Sequence, residues 1–194
     1  MQNFNYMTPT RLIFGKGVIS KLPEVMSAFG KKVLMTYGGG SIKKIGLYDR
    51  VKELLKDREI VELPGIQPNP KYDPSVLDGV RLCKEHEVDV ILAVGGGSVL
   101  DCSKAIAAGA KYDGDPWDLI SYKVKAKAAL PIVDIITLAA TGSEYDAGGV
   151  ISRTETTTRS AISILSSTPP FRSSIRPIRL RYRKSRPPRA ARTR

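Results

Sequence analysis

The chain has 194 residues, 42% of them hydrophobic, and a formal net charge of +12, which is enough apolar material for one sizeable core. No continuous apolar run approaches about twenty residues, which argues against a membrane span, and the opening MQNFNYMTPTRLIFG has neither the basic lead nor the apolar core of a signal peptide. The charge would suggest a nucleic-acid binder, but it is confined: the first 155 residues hold 20 basic and 19 acidic side chains, the remaining 39 hold 11 basic and none acidic.

In chain order, residues 11–151 alternate short β-branched runs with amphipathic stretches. Lys32-Val-Leu-Met-Thr36 reads as a strand that runs into Gly38-Gly39-Gly40-Ser41. Residues 47–55 follow as a helix with Leu47, Val51, Leu54 and Leu55 on one face. A strand over 60–63 leads to the loop Gln67-Pro-Asn-Pro70, then to a helix over about 74–87. The strand Val88-Asp-Val-Ile-Leu-Ala-Val94, apolar except for Asp89, ends in Gly95-Gly96-Gly97-Ser98 and a helix over 99–109. Strands apolar on both faces and alternating with helices predict an α/β fold, a Rossmann-like parallel sheet covered on both sides. Cys83 and Cys102 fall on two of these helices and read as small buried hydrophobes, so the composition describes a soluble protein of the reducing cytoplasm.

A strand that ends in three glycines and a serine before a helix is chemically specific. Glycine lets the backbone turn tightly and bring its N–H groups close to a phosphate. The helix N-terminus adds a partial positive charge. Ser98 is expected to cap that helix and donate to a phosphate oxygen, with Asp101 in the first turn. One such loop would be weak evidence; two, each between a strand and a helix, are stronger. In dinucleotide folds an acid near the end of the equivalent strand binds the adenosine ribose and repels a 2′-phosphate. Here no acid occurs after the first loop until Asp49. Gly39, Gly40 and Ser41 offer neutral donors, and Lys43 and Lys44 either neutralise a phosphate or are simply solvated. This pattern favours NADP(H) over NAD(H).

After Glu155 the pattern fails. Residues 156–194 show no sustained period, and Arg and Pro recur throughout. The chain therefore divides into a dinucleotide-binding α/β domain over 1–155 and a basic tail over 156–194, read either as a disordered arm that binds nucleic acid non-specifically or as an out-of-frame translation.

The ordered motifs Phe14-Gly-Lys-Gly17, Tyr37-Gly-Gly-Gly-Ser41, Pro68-Asn-Pro70, Gly95-Gly-Gly-Ser-Val-Leu-Asp101 with Lys104, Gly114-Asp-Pro-Trp117 and Thr137-Leu-Ala-Ala-Thr-Gly-Ser-Glu144 resemble the iron-containing (group III) alcohol dehydrogenases. The likeness is to their NADPH-dependent butanol dehydrogenase branch and covers roughly residues 4–155. The resemblance implies a two-domain enzyme in which this α/β domain holds the cofactor and an all-helical C-terminal domain, missing here, holds a divalent metal, iron or zinc. By the same resemblance Gly96, Gly97 and Ser98 would contact the pyrophosphate and Asp101 would support the loop. Gly39, Gly40 and Ser41 would surround the adenosine ribose and its 2′-phosphate. Asn69, Thr137, Leu138, Thr141 and Ser143 would line the path to the nicotinamide; without the resemblance, 137–143 reads only as a strand followed by a turn.

The implied chemistry is reversible hydride transfer between the cofactor and a small aldehyde or primary alcohol such as butanal or butanol, with the metal polarising the carbonyl oxygen; a homodimer is also implied. The family's ligands are one Asp and three His. The single histidine, His86, lies outside that motif and reads as a surface helix residue, and neither Asp134 nor Asp146 stands where the ligand should. No catalytic or metal-binding residue is therefore assigned, and the chain as it stands is expected to be inactive. Residues 171–184 can be encoded so that dropping two bases gives S-I-L-D-P-T-Y-T-L-T-V-P-K, which resembles the family's continuation.

Overall fold

The computed structural model describes residues 10–140, 142–146, 148–153, 158–163 and 178–181, the last two segments by their backbone alone. Its strands are β1 (Arg11–Ile13), β2 (Lys32–Tyr37), β3 (Glu59–Leu63), β4 (Val90–Gly95), β5 (Ile132–Ile136), β6 (Gly148–Arg153), β7 (Thr158–Ser163) and β8 (Ile178–Arg181). Its helices are α1 (Leu22–Met26), α2 (Ser41–Lys44), α3 (Leu47–Leu54), α4 (Leu77–Glu85), α5 (Gly97–Gly109) and α6 (Pro116–Ile120). Six strands form a parallel sheet in the order β1-β8-β5-β4-β2-β3, and β6 pairs antiparallel with β7 apart from it.

The period of two explains why these strands are apolar throughout. Along β4, Val90, Leu92 and Val94 face one core together with Val33, Met35 and Tyr37 of β2, and α1, α2 and α3 cover it. Ile91 and Ala93 face the other, with Leu34 of β2, under α4, α5 and α6. α4 and α5 approach closely because glycine stands at the crossing. A Cβ on Gly79 would lie 2.3 Å from Ile106 Cδ1, and one on Gly109 would lie 2.7 Å from Val80 Cγ2. Cys83 and Cys102 are buried on α4 and α5, and burial pushes each thiol up to about 12. His86 ends α4 and is exposed. No helix among the described residues is long and apolar enough to cross a membrane.

The structure departs from the sequence reading in the tail. Regular structure was not expected after Glu155, yet 158–163 forms β7 against β6, and 178–181 forms β8 between β1 and β5, in register from Val133↔Ile178 to Ile136↔Arg181. Ile178-Arg-Leu-Arg181 is too short for a periodic signal, and only pairing on both sides makes it a strand. The rest of the tail lies outside the described residues.

Candidate functional site

Strand order decides where a ligand can sit. From β2 the chain moves outward to β3, then returns to place β4 on the other side of β2 and continues to β5. The segments leaving β2 and β4 diverge to opposite faces, α3 packing on one core and α5 on the other. Such a reversal opens a crevice at the carboxyl ends of the two strands, where open α/β sheets bind ligands. Both glycine loops, 38–41 and 95–98, stand at it.

In the second loop, Gly95 allows close packing: a Cβ there would lie 2.6 Å from Val99 Cγ2. Gly96, in extended conformation, is the N-cap of α5, and its carbonyl accepts from the N–H groups of Val99 (3.0 Å) and Leu100 (3.2 Å). The N–H groups of Gly97 and Ser98, at the head of a 13-residue helix, have no intrahelical acceptor. Two expectations are corrected here. Ser98 does not cap: it lies inside the first turn, and its hydroxyl has no partner among the described residues. Asp101 lies past the first turn and reaches sideways, accepting the Ser143 hydroxyl at 2.5 Å and the Val150 N–H at 3.0 Å. It steadies the 143–150 segment rather than the glycine loop itself.

In the first loop Gly38 is packed: a Cβ would lie 3.3 Å from the Ile66 carbonyl oxygen and 3.9 Å from Val99 Cγ2. Val99 therefore stands between the two loops. Beneath it the Thr36 hydroxyl lies 2.7 Å from that of Ser103, which donates to the Val99 carbonyl at 2.7 Å, so Thr36 is the donor to Ser103. Gly39 and Gly40 are open, with no atom within 4 Å of a built Cβ, and Gly40 takes the left-handed φ of 106° that turns the chain into α2.

Lys43 is exposed, but its ammonium lies 4.8 Å from the Tyr48 ring centroid and 5.5 Å from that of Tyr37. Both tyrosine hydroxyls donate to Glu62, as does Lys52. Burial alone would raise the Glu62 carboxyl, but the hydrogen bonds from Lys52, Tyr37 and Tyr48 outweigh it and hold it below its ordinary value.

The remaining expected residues converge unevenly. The Thr137 N–H donates to the Gly95 carbonyl at 3.0 Å just beyond β5. Leu138 is 66% exposed, and its Cβ lies 3.7 Å from a Cβ built on Gly96. Ser143 is buried beside Gly97, at 3.8 Å by the same measure. Asn69 is exposed in the left-handed region, φ 53°, on the segment that follows β3. Ile66 of that segment bonds Tyr37, and the Pro70 carbonyl accepts from Ser152 at 2.9 Å. Thr141 lies outside the described residues. Sequence reasoning missed Lys104 as a site residue; a lysine in the apolar stretch Val99–Gly109 was its signal.

The crevice, with N–H groups that lack an intrahelical acceptor at a helix head, open glycines 39 and 40 and Lys43 beside them, fits a phosphorylated dinucleotide. A metal does not fit the described residues: no group of three or more His, Cys, Asp or Glu side chains among them could hold one.

Comparison with known proteins identifies the family. The family model described as iron-containing alcohol dehydrogenase matches residues 9–171, beginning and ending later than the resemblance read from the motifs. "Probable NADH-dependent butanol dehydrogenase 1" of Bacillus subtilis is 56% identical over 158 residues, covering 80% of this chain and 41% of that protein. "NADPH-dependent aldehyde reductase YqhD" of Escherichia coli is 49% identical over 159 residues, covering 80% and 41%. The crystal structure of NADH-dependent butanol dehydrogenase A from Thermotoga maritima superposes with a TM-score of 0.84 at 40% identity, covering 93% of this chain and 44% of that one. The chain thus spans about two-fifths of the length of the curated relatives it matches. None of these relatives is named for nucleic-acid binding. By its motifs, its sheet and its matched length, the chain belongs to the iron-containing alcohol dehydrogenase family.

Proposed function

We propose that this chain binds a nicotinamide dinucleotide across the β2/β4 crevice, NADP(H) in preference to NAD(H), as the cofactor-holding part of an alcohol dehydrogenase acting on small aldehydes and primary alcohols such as butanal and butanol. The observation that carries this is the meeting of two Gly-Gly-Gly-Ser loops at one reversal of strand order, one of them heading a 13-residue helix. In this reading the N–H groups of Gly97 and Ser98 and the Ser98 hydroxyl take the pyrophosphate. Gly39, Gly40 and Ser41 take the adenosine ribose and its 2′-phosphate. Asn69, Thr137, Leu138, Thr141 and Ser143 line the nicotinamide half, with Asp101 holding Ser143. When bound, the nicotinamide supplies or accepts the hydride; the residues here orient it.

The preference for a 2′-phosphate rests on charge. No acid stands between Gly38 and Asp49, Lys52 and two tyrosines occupy Glu62, and Lys43 is held over aromatic faces next to the loop. The relatives named above include both NADH- and NADPH-dependent enzymes, so the decisive test is a titration. NADPH fluorescence is expected to report saturable binding to the 194-residue chain, with affinity about tenfold or more above that for NADH. Absence of saturable binding sinks the nucleotide reading, and equal affinities sink the preference. Butanal reduction by NADPH with added Fe²⁺ or Zn²⁺ is expected to be nil; robust metal-dependent turnover would overturn that part.

We propose that a one- or two-base slip near codons 153–165 put the tail out of frame, because its composition breaks there and residues 171–184 can be encoded so that dropping two bases resembles the family's continuation. The in-frame family match to residue 171 and the pairing of 158–163 and 178–181 favour a genuine tail. Resequencing the coding DNA across codons 145–194 and beyond is expected to find a frame with Asp-x-x-x-His and two later histidines. If no frame has them, the basic tail is genuine.

A further inference from the structure

α5 carries two charged side chains one turn apart, Asp101 and Lys104, and both hold the same piece of chain. Lys104 is buried. Its ammonium donates to the Ser143 carbonyl at 2.7 Å, Ser143 Oγ at 3.0 Å, Asp146 Oδ1 at 2.7 Å and the Gly148 carbonyl. Asp101 accepts from Ser143 Oγ and from the Val150 N–H. The proton order is thereby fixed. Ser143 spends its one hydrogen on Asp101, so its lone pair is what receives the ammonium. A buried ammonium persists only when its donors are satisfied, and here every acceptor comes from residues 143–148.

Beyond Lys104, the segment is held by Asp101, by its own turn and, from Gly148 onward, by the pairing of β6 with β7. Gly142 is left-handed, with φ 85°, and the Tyr145 N–H closes a turn onto its carbonyl at 2.7 Å. The Gly148 N–H donates to Asp146 at 3.1 Å. Tyr145 and Asp146 are exposed. Where β6 crosses α5 the fit is close, since a Cβ on Gly149 would lie 3.2 Å from Asp101 Cα. The N-terminus of the same helix abuts Ser143 through Gly97.

We infer that Lys104 is a positioning residue, fastening the 143–148 segment to α5 so that the helix receiving the pyrophosphate and the wall beside the nicotinamide are one rigid piece. This rests on the nucleotide-binding reading for its consequence but not for its geometry. The nicotinamide half of the ligand depends on Lys104; the adenosine half, bound at the first loop, does not.

The test uses the full chain and Lys104→Met, which keeps length and removes the donors. Amide hydrogen exchange is expected to quicken about tenfold or more at Gly148 and Val150, with β2 and β4 unchanged. In the same variant the Kd for NADPH is expected to rise about tenfold, while that for adenosine 2′,5′-bisphosphate stays within about twofold. Unchanged exchange at Gly148 and Val150 overturns the proposal. So does equal loss for both ligands, or faster exchange across β4, because either marks a general structural role. If wild type binds neither ligand, the nucleotide reading fails and exchange alone decides the fastening. Should Lys104→Met not fold, Asp146→Asn must give the same pattern at smaller amplitude, and unchanged exchange at Gly148 there overturns the inference.

Discussion

The two Gly-Gly-Gly-Ser loops are identical as strings and different as objects. After β4, the string leads into 13 helical residues, so the N–H groups of Gly97 and Ser98 stand at the positive end of a full helix. After β2, it leads into the four-residue α2, entered through left-handed Gly40 and followed by left-handed Gly46. What that loop offers is an open backbone beside Lys43 and its tyrosines. In both, the first glycine is packed tightly, while a Cβ on the later ones would meet nothing closer than 3.7 Å. The difference teaches that a glycine string specifies close approach, and the element after it specifies what is approached: in the proposed reading, the pyrophosphate at the head of the long helix, and the ribose with its 2′-phosphate beside Lys43 at the short one.

The largest expected effect breaks the anion site. Gly96→Asp places a carboxylate at the head of α5 and is expected to weaken NADPH and NADH binding alike, by about 100-fold or more. Gly39→Asp, in open space, is expected instead to weaken NADPH about tenfold more than NADH. If parallel titrations give both variants the same NADPH-to-NADH ratio, the two loops do not divide the ligand as argued.

The packed glycines should differ from the open ones in stability. Gly95→Ala drives a methyl against Val99 and is expected to cost about 1–3 kcal/mol in urea unfolding. Gly39→Ala should stay within about 0.5 kcal/mol. Adding Val99→Ala to Gly95→Ala is expected to recover part of the loss; no recovery would mean that Val99 is not what fills the gap.

A similar asymmetry is expected of the hydroxyl pair under Val99. Ser103→Ala leaves the buried Thr36 donor without its acceptor, about 1–3 kcal/mol, whereas Thr36→Val leaves Ser103 still donating to Val99, about 0.5–1.5 kcal/mol. Equal losses in paired denaturation curves would contradict the assigned proton order.

The smallest effect concerns Glu62 beside the first loop. Its carboxyl is lowered from an ordinary value of 4.5, so it contributes stability above that value and loses it as pH falls through the lowered one. Wild type and Glu62→Gln are therefore expected to differ at pH about 7 and to converge as pH falls below the lowered value of that carboxyl. A difference that does not shrink on acidification would show that the charge is not responsible.

Much of the fold was legible in the chain because its signals are local. The apolar strand ending at Val94 and the helix from 99 to 109 appear in β4 and α5, with ends differing by a residue or two. The helix expected over 74–87 is shorter, Leu77–Glu85: a π-turn over Tyr72–Val76 precedes α4, with Asp73 outside helical geometry. The short elements were not read. α2, α6 and β1 have five residues or fewer, fewer than a periodic pattern needs to declare itself. At the site, Asp101 and Ser143 were named, but not that they bond each other, since 42 residues separate them.

From the sequence alone came the alternation of strands and helices, the two glycine loops, the confinement of the excess charge to residues 156–194 and the resemblance to a dehydrogenase family. Side-chain period, glycine freedom and charge count are properties of neighbouring residues. Only the tertiary structure decided that β2 and β4 lie side by side where the strand order reverses. It also decided that Gly96 and not Ser98 caps α5, that Val99 wedges between the loops, and that Lys104 finds all its acceptors between residues 143 and 148. Each of these depends on which distant segment fills a given space, and a buried donor takes its partners from whatever the fold brings within reach.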